Sequence, residues 1–163
     1  MNIPQPKHCN CVANCNCGPK LYSVARGLSR ETSVTNYELP IAKAIKAFDA
    51  ARNNTQWDYQ TRCWASIMRK REVISVGWNQ RKSHPKQAMY STSKHRIFLH
   101  AEIHAIIRAR QSVERCDMFV FRWLKDLKFG ESSPCNGCMA AMSDAGIQSV
   151  TFFNDGKFVR MAL

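Results

Sequence analysis

Two short segments constrain this chain more than any other feature. One is His100-Ala101-Glu102, and the other is Pro134-Cys135-Asn136-Gly137-Cys138. Each stands at the head of a stretch that reads as helix. After the first, Ile103, Ala105, Ile106 and Ile107 make residues 101–110 largely apolar. After the second, residues 135–145 run to Gly146, and a glycine just past the last helical residue is a common stop. The 31 residues between Glu102 and Pro134 leave room for one helix, a buried strand over 118–124 and a loop over 125–134. A helix–strand–helix arrangement of this length brings two helix N-termini together at one edge of a sheet.

The remaining chain supplies the other elements. Pro40 suits a first helical turn, and Ile41, Ala44, Ile45, Phe48 and Ala51 recur at helical spacing until Asn53-Asn54. Residues 61–68 alternate between a Cys63/Ala65/Ile67 face and a Trp64/Ser66/Met68 face, as a strand does. A charged turn over 69–72 leads into a second strand at 73–78, so 61–79 is predicted to be a hairpin. Residues 80–99 read as a long polar loop. Strands at 148–153 and 157–161 flank Asp155-Gly156, the signal of a type I′ turn. The predicted order is α-β-β-α-β-α-β-β, an α/β fold with a partly parallel sheet and helices packed on it.

Length and composition fit one such domain. The chain has 163 residues, 45% hydrophobic and 22% charged, and a domain of that size buries about two-thirds of its unfolded surface. Only 7 glycines and 6 prolines exclude collagen-like and low-complexity classes. No apolar run approaches the ~18 residues of a membrane span, and the first residues carry no apolar leader. The expectation is a cytoplasmic protein with no membrane partner. In a reducing compartment, clustered cysteines bind metal more often than they pair. Of the 8 cysteines, Cys63 and Cys116 stand alone in strand-like runs and read as small buried hydrophobes.

The chemistry follows from the two opening segments. Cys135 and Cys138 lie three apart at a helix start, where both thiols can face one metal and the helix N-terminus favours thiolate. His100 adds an imidazole nitrogen. Three protein ligands leave a fourth position open, which is the pattern of a catalytic Zn2+ rather than a structural one. Glu102, two residues from a ligand, is placed to take a proton from water at that position. A structural site would need a fourth protein ligand and would leave Glu102 without a role. His104 stands at i+4 from His100, either as that ligand or as a packed helix histidine. The string His-x-Glu-x-His differs from the His-Glu-x-x-His of metalloproteases, so that reading fails on spacing.

Paired in this way, His-x-Glu and Pro-Cys-x-x-Cys resemble the cytidine and deoxycytidylate deaminase superfamily over residues 39–163. The resemblance implies a three-layer α/β/α domain with a mixed five-stranded sheet, and Asp155-Gly156 makes its last two strands an antiparallel hairpin, as in compact free-cytidine deaminases and some polynucleotide deaminases rather than the deoxycytidylate and tRNA branches. It implies that His100, Cys135 and Cys138 hold zinc and that Glu102 shuttles protons while cytosine becomes uracil. Gly77-Trp78-Asn79 is similar to the G-x-N of deoxycytidylate and tRNA deaminases, in which the asparagine contacts the sugar; Asn79 otherwise caps a strand end. Ser133-Pro134-Cys135 is similar to the S-P-C of cytosine deaminases, which makes Ser133 a second substrate-binding candidate. Trp78, Trp123 and Phe129 are able to stack on a base, though each residue type is more often core.

Partners are read from charge. The net charge is +12, and residues 1–99 carry 16 basic and 5 acidic side chains against 8 and 7 over 100–163. Such a potential attracts phosphates. Arg81, Lys82, Lys86, Lys94 and Arg96 lead into His100, either as phosphate contacts or as a solvated charge run. A (deoxy)cytidine nucleotide or nucleoside is the expected substrate. Single-stranded DNA or RNA is the alternative, and a catalytically inactive zinc module that binds nucleic acid is a third reading. An oligomer is compatible with all three. Residues 1–20 hold Cys9, Cys11, Cys15 and Cys17, either a second structural zinc site or a flexible tail with reactive thiols. Residues 21–38 read as a connector.

Overall fold

Five consecutive residues of β1 (Cys63–Arg69), Trp64 to Met68, are buried, which marks a central strand covered on both faces. The computed structural model describes residues 42–43, 46, 63–91, 98–124 and 128–163. The chain divides into Met1–Glu38 and Leu39–Leu163, and every described residue belongs to the second unit.

β1 lies between β2 (Glu72–Trp78) and β5 (Asp117–Trp123), antiparallel to both. β5 pairs in parallel with β7 (Ser149–Asn154), and β7 pairs antiparallel with β8 (Lys157–Ala162). The path is therefore β2-β1-β5-β7-β8, the five expected strands, and a two-residue β6 (Phe129–Gly130) adds a sixth beside β5. Asp155 and Gly156 have φ of 50° and 77°, the two positive values that a type I′ turn demands.

One face of this sheet presents Ala65, Ile67, Met118, Val120 and Val150 to two helices, α2 (Ala101–Arg108) and α3 (Asn136–Asp144). Ile103, Ala105 and Ile106 enter that core from α2, and Cys138, Ala141 and Met142 enter it from α3. The opposite face is buried as well, at Trp64, Met68, Phe119 and Phe121, as in a sheet between two layers. Gly77 sets how closely α2 lies on β2. A Cβ there would overlap the Ala101 carbonyl and the Ala105 amide, so the helix backbone rests directly on the strand.

The sequence reading of 80–99 as a loop is overturned. The segment contains β3 (Gln80–Ser83), α1 (Pro85–Tyr90) and β4 (Phe98–Leu99). β3 and β4 form a separate antiparallel ribbon with Gln80 opposite Leu99 and Ser83 opposite Phe98. His84 accepts from the Lys86 amide and Pro85 opens the helix, a local start signal that the polar composition masks. The loop over 125–134 is likewise interrupted by β6, a strand too short to show a period.

Of the first predicted helix, Ala42, Lys43 and Lys46 are described and are helical. Lys43 Nζ donates to the Arg71 carbonyl at 2.6 Å. Ile41, Ala44, Ile45, Phe48 and Ala51 lie outside the described residues, as do Cys9, Cys11, Cys15, Cys17 and the 21–38 connector. Among the described residues no helix is long and apolar enough to cross a membrane.

Candidate active site

His100 and Cys135 occupy the same position on two helices. Each is the N-cap, extended in backbone, with φ and ψ of −78° and 154° for His100 and −74° and 163° for Cys135. Each carbonyl accepts the first helical bond at 2.9 Å, from His104 and Met139 respectively. Neither side chain caps its own helix. Cys138 follows one turn into α3, fully buried. His100 Nδ1 lies 3.3 Å from Cys138 Sγ and 3.6 Å from Cys135 Sγ, and the three ligand atoms lie within 4.8 Å of one another.

This donor set fits zinc. Nitrogen at ~2.0 Å and sulfur at ~2.3 Å on a tetrahedral ion stand about 3.5 Å apart, close to the separations seen here. The Cys135 thiol is pulled down to about 3, by its hydrogen bond with Cys138 and then by His100. His100 is raised, first by its bond with Cys135. Cys138 is pushed up by sharing its proton with Cys135 and by burial. One shared proton between two sulfurs is what a divalent cation would displace.

α1 holds both helix starts. The buried Gln87 accepts from the His100 amide through Oε1 at 2.9 Å. Gly137 faces the Tyr90 carbonyl so closely that a Cβ would overlap it. Tyr90 Oη also donates to Asp144 Oδ2 at 3.0 Å, which ties α1 to the far end of α3.

Glu102 is 6% exposed, on the first turn of α2. Burial pushes its carboxyl up from the usual carboxylate range, against the pull of His100. Glu102 opens onto a cleft of about 430 Å³ whose walls include Cys63, Asn79, Arg81, Phe98, His100, Ser133 and Cys135.

The structure therefore brings Asn79, Arg81 and Ser133 to the same cleft as His100, Glu102 and Cys135. Asn79 Oδ1 accepts from the Cys63 amide at 3.0 Å, which leaves its NH2 as the donor end. Ser133 Oγ donates to Asn154 Oδ1 at 3.1 Å. Lys82 is exposed on β3 and Lys86 is half-buried on α1, and neither is a wall of the cleft. Lys94 and Arg96 lie outside the described residues. His104 is not brought to the metal cluster. Its Nδ1 accepts from the Trp78 amide at 3.1 Å, the Gln80 amide lies 2.9 Å from the ring, and the ring meets Trp78 edge-on at 4.6 Å. Burial lowers it to about 4.

Trp78 is thus engaged by His104 and, on the ring, by Arg108 at 4.9 Å. Phe129 packs on Phe153 and Phe158. Cys116 is buried as expected; Cys63 is half-buried, packs against the core and also lines the cleft. Sequence reasoning missed Gln87, Gln80, Phe98 and Cys63 as parts of the site. Gln87, Gln80 and Phe98 are placed by the β3–β4 pairing and the seat of α1, which only His84-Pro85 announced, and Cys63 by its position at the start of β1.

Residues 39–154 match the family model described as the cytidine and deoxycytidylate deaminase zinc-binding region. No curated protein matches this chain. Among solved structures, it is similar to a dCMP deaminase from the cyanophage S-TIM5 in apo form, at 17% identity and TM-score 0.43, over 68% of this chain and 79% of that one. The same phage enzyme in complex with dCMP and dUMP aligns at 19% identity and TM-score 0.43, over 71% and 80%. A cytidine deaminase from Burkholderia pseudomallei aligns at 18% identity and TM-score 0.47, over 74% and 91%.

Proposed function

Because the chain belongs to the cytidine and deoxycytidylate deaminase family, we propose that it hydrolyses the 4-amino group of a cytosine ring carried on a (deoxy)ribonucleotide or nucleoside, giving uracil and ammonia. One observation carries the reading. Three zinc-type ligand atoms converge at two helix N-termini, with a buried carboxyl two residues from one of them.

His100 Nδ1 and the Cys135 and Cys138 sulfurs are the residues that would hold the ion. Zinc there supplies Lewis-acid activation of water at an open fourth position. Glu102 does the proton work. It accepts a proton from the attacking water as the oxygen bonds to C4 and delivers that proton to N3. It then carries the second water proton to the exocyclic nitrogen, so that the C4–N bond breaks and ammonia leaves. Its raised pKa matches both duties, since one group must be a base and then an acid.

The other groups orient the substrate. Asn79 offers its NH2 to a sugar hydroxyl, because its oxygen is held by Cys63. The Ser133 hydroxyl donates its hydrogen bond to Asn154 Oδ1 and meets the substrate as an acceptor. Arg81, at the wall of the cleft, takes phosphate.

The test is to incubate the zinc-loaded protein separately with cytidine, with deoxycytidylate and with single-stranded oligonucleotides, and to measure uracil. Uracil from at least one supports the reading. No uracil from any, with zinc retained, overturns it.

A further inference from the structure

We propose that the β3–β4 ribbon is a platform for the nucleotide beside the target, so that the cytosine is presented by a single strand of nucleic acid. This rests on the deaminase reading for the identity of the target base, and on separate observations for the platform.

The first observation is Phe98. It is 56% exposed, while the next residue, Leu99, is 1% exposed. A singly exposed hydrophobic is ordinary on a protein surface, and what distinguishes Phe98 is its place on the wall of the cleft. Among the described residues, Phe98 is the one Phe, Tyr or Trp lining the cleft that holds His100 and Glu102. The other exposed large hydrophobics, Met89, Met161 and Leu163, line no part of that cleft.

The second observation is charge. β3 pairs with β4 at Ser83 opposite Phe98, and β3 carries exposed Arg81 and Lys82. Arg81 shares the cleft wall with Phe98. An aromatic face beside cations on an exposed ribbon is the combination that binds single strands: bases stack and phosphates are neutralised. A free nucleotide uses the cleft's inner groups and one phosphate contact. It leaves nothing to cover Phe98, whereas a neighbouring base does. The net charge of +12 agrees in sign with a polyanionic ligand.

The experiment measures binding, not turnover. Zinc-loaded full-length protein is titrated with labelled DNA and RNA pentanucleotides that carry uracil at the target position, followed by fluorescence anisotropy. A matching strand with abasic flanks and the mononucleotide dUMP serve as comparisons. Phe98→Ala is expected to weaken the intact pentanucleotide at least tenfold, and Phe98→Leu, which keeps the bulk without the aromatic face, by a similar factor. Phe98→Tyr should stay within about threefold of the wild type. The abasic-flanked strand should bind the wild type and Phe98→Ala alike.

Three results overturn the proposal. The first is that Phe98→Ala and Phe98→Leu bind the intact strand as the wild type does. The second is a loss as large on dUMP as on the strand, which places Phe98 against the target base. The third is a change in the protein's oligomeric mass by sedimentation without a change in strand affinity, which makes Phe98 an interface between copies. Because the strands already carry uracil, a protein that never deaminates cytosine still gives a clear answer here, and a protein that deaminates only free nucleotides fails this test alone.

Discussion

The two ends of the cleft are built on opposite principles. At the inner end, His100, Cys135, Cys138 and Glu102 sit on two helix starts, the first held by Gln87 and by the close contact at Gly77, the second by the close contact of Gly137 with the Tyr90 carbonyl. At the outer end, Arg81, Lys82 and Phe98 stand exposed on a ribbon of four and two residues. Bond making tolerates little displacement, so its groups are placed on rigid elements. Recognition of a long ligand spreads over many weak contacts and tolerates a thin support. Changes at the inner end should therefore act on rate, with zinc lost only where a ligand is removed, and changes at the rim on affinity and its salt dependence.

The largest expected effect separates two residues of the inner end. Glu102→Gln should keep zinc and lose at least ~10²–10⁴-fold in turnover, because one carboxyl handles each proton transfer. Cys135→Ala should lose one zinc equivalent by elemental analysis, whatever Cys9, Cys11, Cys15 and Cys17 hold. Near-normal turnover in Glu102→Gln would remove the proton-shuttle role while leaving the metal site intact.

A smaller effect tests the support beneath the site. A methyl group at Gly77 meets the α2 backbone between Ala101 and Ala105, not a side chain that can swing away. Gly77→Ala should lower unfolding free energy by about 1–3 kcal/mol in urea and weaken zinc retention, since α2 carries His100 and Glu102. Unchanged zinc affinity with lowered stability would show that the helix start is held by Gln87 and α1 alone.

How much of this was legible in the sequence follows the same division. The inner end was readable because its signals are local. Two ligand strings stand at helix starts, Asp155-Gly156 makes its own turn, and β1 and β2 show strand patterns across a short hairpin. The rim was not. β3 and β4 are too short to show a period, and their pairing joins Gln80 to Leu99 across α1, a register set by tertiary packing. Gln87 looks like any polar helix residue until α1 is docked and its amide meets His100. Cys63 reads as a buried hydrophobe from its apolar run, and it does pack against the core, but as the strand's first residue it also reaches the cleft. The spacing of His104 allows a fourth ligand or a packed helix histidine, and its ring packs with Trp78 and Gln80.

That placement has a pH consequence. Burial lowers His104 to about 4, against an ordinary value near 6.5. The unfolded chain then binds the extra proton more readily, so the contribution is complete above about pH 6.5 and is lost as pH falls toward 4. Arg108, Lys82 and His84 oppose the charged form as well. At pH 5.5 the loss amounts to about 1 kcal/mol. Urea unfolding of the wild type and His104→Gln at pH 7.5 and 5.5 should show the gap between them shrinking by that amount. A gap that does not change with pH would mean that the ring is already charged, and that its contact with the Trp78 amide is not what holds it.

The smallest expected effect belongs to a single cation on the rim. Lys82 is exposed on β3, next to Arg81 and off the wall of the cleft. If it neutralises one phosphate of a bound strand, removing it should lower the slope of log K against log salt by about 0.7. Lys82→Ser should then bind a pentanucleotide a few-fold more weakly at low salt, and nearly as well as the wild type at high salt, where counterion release no longer drives binding. The mononucleotide should not respond, because its one phosphate is within reach of Arg81. A loss that is the same at every salt concentration would mean that Lys82 supports the ribbon's shape rather than its charge. An unchanged slope would make the basic run over 81–86 a solvated face, with Phe98 left as the rim's sole contact.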